Sequence, residues 1–248
     1  MLFSLKGRTA LVTGAGQGMG FGIAEALAEQ GAVVVINDID AERAAAAAAR
    51  LRQKGYAAVG MGCDVCERSS IDQMLLQVAE LGALDIVVNN AGLPAGWQGD
   101  NLRFIDSQPA NWQRYVELNL YGVMHMTQAV LTVMRERRHG RIVTISSESW
   151  RMGTDMGLAA YAASKAAAIG FMRQIAAENG AYGITANCLS LGTMNNWEGS
   201  EQLAAKINPI PRAGSPRDVG AACAFLVSDE ASWLTGQVLP LNGGVLMA

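Results

Sequence analysis

The chain carries 248 residues, 50% of them apolar and 17% charged, with a net charge of −3 and a pI near 5.5. No basic face or like-charge block announces nucleic acid, and the longest apolar runs, such as Ala32–Ile36, are too short to cross a bilayer. Lys6 and Arg8 break the N-terminal stretch before a signal-peptide core can form, so a soluble cytoplasmic protein is expected.

The first strand is read at Thr9–Thr13 and the first helix near 18–30, joined by "TGAGQGMG", Thr13–Gly20. Glycines at Gly14, Gly18 and Gly20 permit a tight turn and bring backbone N–H groups close to a pyrophosphate. The helix N-terminus adds its positive dipole end, so the loop is a candidate dinucleotide cradle. A second strand, Val33–Asn37, runs into Asp38, where a carboxylate can bond the adenosine ribose hydroxyls. That carboxylate repels a 2′-phosphate, and Gln17 rather than an arginine stands in the glycine loop. NAD is therefore expected in preference to NADP. Asp40 is placed to cap a helix near 40–54, which leaves Asp38 for the ribose.

The third strand, Ala57–Cys63, ends in "CDVC". Cys63, Cys66, Cys188 and Cys223 offer no second pair at metal spacing and the histidines lie elsewhere, so structural thiols and no metal are expected. A helix near 67–81 leads to a strand at Asp85–Asn90, then the segment "LPAGWQGDNLRFIDSQ". A helix near 109–137, strand Arg141–Ser146, helix near 158–181 and strand Ile184–Ser190 follow. After "GTMNNWEGSEQLAAKINPIPRAG" come a helix near 215–228 and a last strand at Gln237–Leu241. Apolar strands alternating with helices, with no linker or repeat, predict one α/β domain over 1–248 on a parallel doubly wound sheet. Both irregular segments follow strand C-terminal ends, where such sheets place ligands. Each holds a tryptophan, Trp97 or Trp197, read as pocket wall or lid, with a substrate loop at about 192–214. His125 is read as a packed mid-helix residue and His139 as part of a solvated helix end.

These motifs, in this order, resemble the short-chain dehydrogenase/reductase family. The resemblance spans essentially the whole chain. It rests on the glycine loop, "CDV" (Cys63–Val65), "NNAG" (Asn89–Gly92), "LNLYG" around Asn119, "ISS" ending at Ser147, "YAASK" (Tyr161–Lys165) and "LTGQVLPLNGG". It implies a single-domain Rossmann fold with seven parallel strands in the order 3-2-1-4-5-6-7 and helices on both faces. It further implies a catalytic tetrad of Asn119, Ser147, Tyr161 and Lys165. Cofactor contacts are implied for Gly14, Gln17, Gly18, Met19, Gly20 and Asp38, for Asp64 and Val65 at the adenine, and for Asn90 and Gly92 beside the ribose. Tyr161, Lys165, Gly192 and Met194 complete that set. The chain also departs from the family pattern. The Ser147–Tyr161 spacing is one residue longer than the commonest, which leaves Ser149 as a rival serine. Leu191 replaces a usual proline, and Asn196 stands where a threonine is usual.

Tyr161 and Lys165 are i and i+4 on one helix face. A free tyrosine titrates near 10. A neighbouring ammonium and an oxidised nicotinamide ring both stabilise phenolate, and lowering the pKa by roughly 2–3 units needs only about 3–4 kcal/mol. The tyrosine is then expected to act as general acid/base on a secondary alcohol or its ketone. Trp97, Trp150, Met152, Met156, Met194 and Trp197 flank the catalytic segments, so a hydrophobic substrate is expected. The resemblance also allows a 3-oxoacyl-[acyl-carrier-protein] reductase using NADPH, for which Arg137 and Arg138 are candidate carrier contacts. A catalytically idle nucleotide-binding scaffold is the third reading. The alanine-rich 158–181 helix, by the same resemblance, implies a homotetramer, with a dimer as the fallback.

Overall fold

The computed structural model describes residues 2–93 and 102–247. Strands and helices alternate as β1 (Thr9–Val12), α1 (Gly18–Glu29), β2 (Val33–Asp38), α2 (Ala41–Gln53), β3 (Ala58–Gly62), α3 (Arg68–Leu81) and β4 (Leu84–Asn89). They continue as α4 (Pro109–Val116), α5 (Gly122–Arg137), β5 (Gly140–Ser147), α6 (Ala159–Asn179), β6 (Ile184–Leu191), α7 (Ser200–Ile207), α8 (Pro216–Val227) and β7 (Val238–Leu241). All seven strands pair in parallel, in the order β3-β2-β1-β4-β5-β6-β7. This is the order that the resemblance implies.

The apolar strand runs explain the layering. Successive side chains of a strand point to opposite faces. Ala10 and Val12 enter a core packed by α1, α2 and α8, while Leu11 enters the one packed by α3, α5 and α6. Val34 and Ile36 against Val35, and Ile86 and Val88 against Val87, repeat the division in β2 and β4. A strand buried on both faces is built from near-continuous apolar residues, which is what "VVVI" and "IVV" provide.

Asp40 caps α2 as expected, its Oδ1 accepting the N–H groups of Glu42 (3.0 Å) and Arg43 (3.1 Å). Two elements differ from the sequence reading. The long helix expected over 109–137 is interrupted by a π-helical turn at Glu117–Tyr121, which carries the buried Asn119. The loop after β6 contains α7, an eight-residue helix with no side-chain cap at Gly199. Neither a one-residue bulge nor so short a helix leaves a clear period in a sequence.

His139 is half-buried rather than solvated. Burial pushes its pKa below the usual value, and Arg141 and Arg8 add to the shift. The four cysteines are free thiols, and burial pushes Cys66, Cys188 and Cys223 up to about 12. Among the described residues no helix is long and apolar enough to cross a membrane, and no cluster of metal-ligating side chains occurs.

Candidate active site

The strand order reverses between β1 and β4, whose connections leave in opposite directions and open a crevice at their carboxyl ends. The two strand ends are tied together by Thr13, which the motif reading passed over. Its Oγ1 accepts the N–H groups of Asn90 and Ala91, each at 3.0 Å. Asn90 Nδ2 returns hydrogen bonds to the carbonyls of Thr13 (2.9 Å) and Gly14 (3.0 Å). Asn90 therefore holds the glycine loop in shape.

The loop fits a pyrophosphate. A Cβ on Gly20 would stand 2.4 Å from the Gly14 carbonyl oxygen and 2.5 Å from Asn90 Nδ2, so no other residue fits this turn unchanged. Gln17 occupies the N-cap position of α1 in extended conformation, yet its side chain caps nothing. The first-turn N–H groups of α1 are left for an anion. Gln17 and Gly18 are exposed and Met19 packs against the core. Further out, Asp64 Oδ1 accepts the Cys66 N–H at 2.9 Å, and Val65 is buried against Gly122.

Asp38 ends β2 and is buried. Its Oδ2 accepts the Gly16 N–H at 3.1 Å, and its Oδ1 accepts the Asp40 N–H at 3.2 Å and Arg43 Nη2 at 2.5 Å. Burial alone would raise its pKa. The hydrogen bonds from Arg43, Asp40 and Gly16 outweigh burial and hold the carboxyl below its usual value. The glycine loop itself holds no arginine. Arg43 comes instead from the first turn of α2, which the Asp40 cap folds back over the β2 end.

At the other end of the crevice, Ser147 closes β5, opposite Leu191 of β6. Tyr161, half-buried in the first turn of α6, lies near the Ser147 hydroxyl and packs edge-to-face on Tyr115 at 5.8 Å between ring centroids. Ser149 Oγ is buried with no partner, and the Ser147 hydroxyl is the one that lies near Tyr161. Lys165 is buried one turn along α6, and its Nζ donates to the Ile145 carbonyl at 3.0 Å. Asn119 Nδ2 donates to Ser164 Oγ at 3.0 Å, Ser164 donates to the Tyr161 carbonyl at 2.7 Å, and Asn119 Oδ1 accepts the Leu93 N–H at 3.1 Å. Gly92 lies against Asn119 and Lys165, where a Cβ would stand 2.8 Å from Asn119 Oδ1 and 3.1 Å from Lys165 Nζ. The four tetrad positions thus meet in one place.

The electrostatics correct one expectation. Burial pushes the Tyr161 phenol above its usual value, against the hydrogen bond from Ser147. Lys165 does not acidify it in this arrangement, because its nitrogen sits 6.0 Å from the ring centroid and is turned to Ile145. Burial pushes the Lys165 ammonium down to about 8.

The expected pocket wall is only partly assembled. A cleft of about 300 Å³ runs between Arg103–Phe104 and the segment Met152–Ala162, lined by Met152, Leu158 and Ala162 but not by Tyr161. Phe104 is stacked on Trp112, and Arg103 pairs with Asp155 across the rim at 2.9 Å. Trp150 instead packs inward on the core, while Met156 and Trp197 are exposed. Trp97 lies outside the described residues. Gly192 packs on Asn242, Met194 is buried against Gly214, and Asn196 is exposed.

Comparison with known proteins places this geometry. A family model described as enoyl-(acyl carrier protein) reductase matches residues 14–246. The chain is 37% identical over 247 residues to a (2S)-[(R)-hydroxy(phenyl)methyl]succinyl-CoA dehydrogenase subunit of Thauera aromatica, covering 97% of each. It superposes with a TM-score of 0.93 and 33% identity on a 3-oxoacyl-[acyl-carrier protein] reductase with bound NAD from Brucella melitensis, covering 99% of this chain and 94% of that one. A gluconate 5-dehydrogenase from Burkholderia cenocepacia in complex with NADP and tartrate matches with a TM-score of 0.90 and 34% identity, over 98% and 96% of the two chains.

Proposed function

The chain belongs to the short-chain dehydrogenase/reductase family of oxidoreductases acting on CH–OH groups, and on that footing we propose that it interconverts a hydrophobic secondary alcohol and its ketone, with NAD as cofactor and Tyr161 as general acid/base. The observation that carries this reading is the placement of Tyr161 near the Ser147 hydroxyl, with a buried lysine one turn along α6. A bound nicotinamide supplies the two-electron exchange at the substrate carbon. Ser147 orients the substrate oxygen, and Tyr161 gives or takes its proton. Lys165 lies one turn away on α6 as the donor for a ribose hydroxyl. Asn119, through Ser164, braces the α6 turn that carries the tyrosine. Asp38, ionised and with acceptor capacity left, supports a free ribose hydroxyl and hence NAD.

The alternative is a carrier-dependent 3-oxoacyl reductase, which the likeness to the Brucella enzyme favours. Against it, Arg137 and Arg138 lie at the N-terminal end of β5, with Ser147 at the other. Arg137 is spent on Asp85 at 2.9 Å, and Arg138 donates to the Ala181 carbonyl at 2.7 Å. An absorbance panel separates the readings. NAD with cyclic, aryl and steroid-like alcohols is run beside NADPH with a 3-oxoacyl thioester on carrier protein. NADH formation on free alcohols is expected. Faster NADPH oxidation on the carrier thioester reverses the order, and silence with bound cofactor favours an idle scaffold.

A homotetramer is supported by an exposed stripe of small residues along α6, at Ala163, Ala167, Gly170 and Ala177, and by Tyr121 and Met124 exposed at the start of α5. Trp233, 99% exposed, is a further surface that a second copy can cover. Sedimentation at micromolar protein is expected to give four chains per particle; a monomer would refute the assembly.

A further inference from the structure

Two tyrosines meet at this site, and only Tyr161 has a part in the chemistry above. Tyr115 lies in the last turn of α4, just ahead of the π-helical turn, and is buried. Its ring meets that of Tyr161 at 73°, with 5.8 Å between centroids. Four residues on, Asn119 reaches Ser164 of α6 at 3.0 Å, and Ser164 donates to the Tyr161 carbonyl at 2.7 Å. The end of α4 and the π turn thus grip the start of α6 at two points, one on the backbone and one on the ring. The other end of α4 is tied down as well. Asn111 Oδ1 accepts the Gln108 N–H at 2.9 Å, and Trp112 donates from Nε1 to Ser107 Oγ at 2.8 Å while stacking on Phe104. Tyr115 therefore stands on a short helix that is anchored at both ends.

We infer that Tyr115 is a positioning residue for the general acid/base, its ring setting the direction of the Tyr161 phenol so that the hydroxyl stays beside Ser147. The inference rests on the reading of Tyr161 as the acid/base. The Tyr161 backbone is held by α6 and Ser164, but its hydroxyl stands a full ring length away. A small swing about χ1 carries that oxygen by about 1 Å, a displacement that can cost about 10²-fold in rate. The polar neighbours do not prevent the swing. Lys165 Nζ is 6.0 Å from the Tyr161 ring centroid and is turned to the Ile145 carbonyl. The Ser147 hydroxyl rotates to suit its partner and so follows the phenol rather than fixing it. The edge-to-face contact does resist the swing, because two aromatic rings prefer that arrangement and lose it when one tilts. Filling the space under Tyr161 needs only an apolar side chain of the right volume. Setting a direction needs a flat, stiff one, and the Tyr115 hydroxyl is not required for it.

Kinetics in light and heavy water test this, with NAD and whichever cyclic, aryl or steroid-like alcohol the wild type oxidises fastest. Tyr115→Leu should lose about 10- to 100-fold in kcat, with the KM for NAD within about twofold. Its solvent isotope effect on kcat should rise, because a misdirected phenol makes proton transfer limiting. Tyr115→Phe keeps the ring and should match wild type in isotope effect and, within about threefold, in kcat. Tyr115→Met, whose unbranched side chain fills irregular space, should lose as much as the leucine variant and stands in for it should leucine not fold. Leucine and methionine variants that keep kcat within about threefold, whatever their Tm, would make Tyr115 a packing residue only and overturn the inference. So would a phenylalanine variant as slow as the leucine one, since the hydroxyl and not the ring would then act. So would a loss of kcat with an unchanged isotope effect. Tyr161→Phe, run alongside, guards the premise. If it turns over like wild type, the acid/base reading falls; if it is inactive beside a fully active Tyr115→Leu, this inference alone falls.

Discussion

Tyr161→Phe is expected to lower kcat/KM by about 10³-fold while leaving cofactor affinity within about twofold, the range that removal of a positioned acid/base spans. The substitution keeps the ring that packs on Tyr115 at 5.8 Å between centroids and removes only the hydroxyl near Ser147. Fold stability should change by about 1 kcal/mol or less, because one hydrogen bond is exchanged for an apolar edge. The pH profile adds a second readout. Burial sets the Tyr161 phenol above its ordinary value, so the proton stays on at neutral pH. Alcohol oxidation, which needs the base form, should rise with pH throughout the neutral range, and ketone reduction should not. The phenylalanine variant should lose that slope. Ser147→Ala should resemble Tyr161→Phe, whereas Ser149→Ala should keep near wild-type turnover, since Ser149 Oγ has no partner. Turnover retained in Tyr161→Phe, or an inactive Ser149→Ala beside an active Ser147→Ala, would remove the assignment.

The sheet was legible because its central strands β1, β2 and β4 are buried on both faces and spell apolar runs between helices. Those runs predict parallel pairing without any family knowledge; the strand order came from the resemblance. Asp40 was legible as a cap because a short acidic side chain ahead of an alanine run has few other uses. The parts that escaped share a physical reason. Thr13 ties β1 to β4 through main-chain donors 77 and 78 residues away, and no local pattern reports such a contact. Arg43 reaches Asp38 only because the α2 cap folds its first turn back, so its meaning is set by a turn rather than by a motif. The π-helical turn at Glu117–Tyr121 adds one residue to a helix whose apolar period otherwise continues. Trp150 was expected at the substrate and packs on the core instead, an outcome that an apolar side chain near a strand end cannot disclose from sequence.

Lys165→Met is expected to make the fold more stable at pH 7 while abolishing most of the activity. The ammonium is buried, and its pKa falls from 10.5 to about 8. The folded protein therefore holds fewer protons on this group than the unfolded chain between those two values. Stability must rise with pH across that window, and below pH 8 the whole cost of burying the charge is present. A shift of this size corresponds to about 3 kcal/mol. Methionine removes that cost with a side chain of similar length, but it leaves the Ile145 carbonyl without its donor, which costs about 1–3 kcal/mol. The net gain expected at pH 7 is about 0–2 kcal/mol, seen as a Tm higher by up to several degrees. The gain should shrink as pH climbs from 8, pass through zero before 10.5, and reverse once the unfolded lysine also loses its proton, leaving methionine the less stable by the cost of the unpaired Ile145 carbonyl. Turnover should drop at least 10²-fold, because the cation on the tyrosine's helix face is gone, and NAD should bind more weakly for want of a ribose donor. Thermal unfolding of both proteins from pH 6.5 to 10.5, beside initial rates, reads both effects. A variant less stable at pH 7, or a stability difference that stays flat across the range, would mean that Lys165 is not a strained buried cation. Native proteins keep such a charge only where it serves, since stability alone selects against it. An ammonium held at a stability cost, one turn from a hydroxyl pair at the end of the crevice, is therefore independent support for the chemistry assigned to Tyr161.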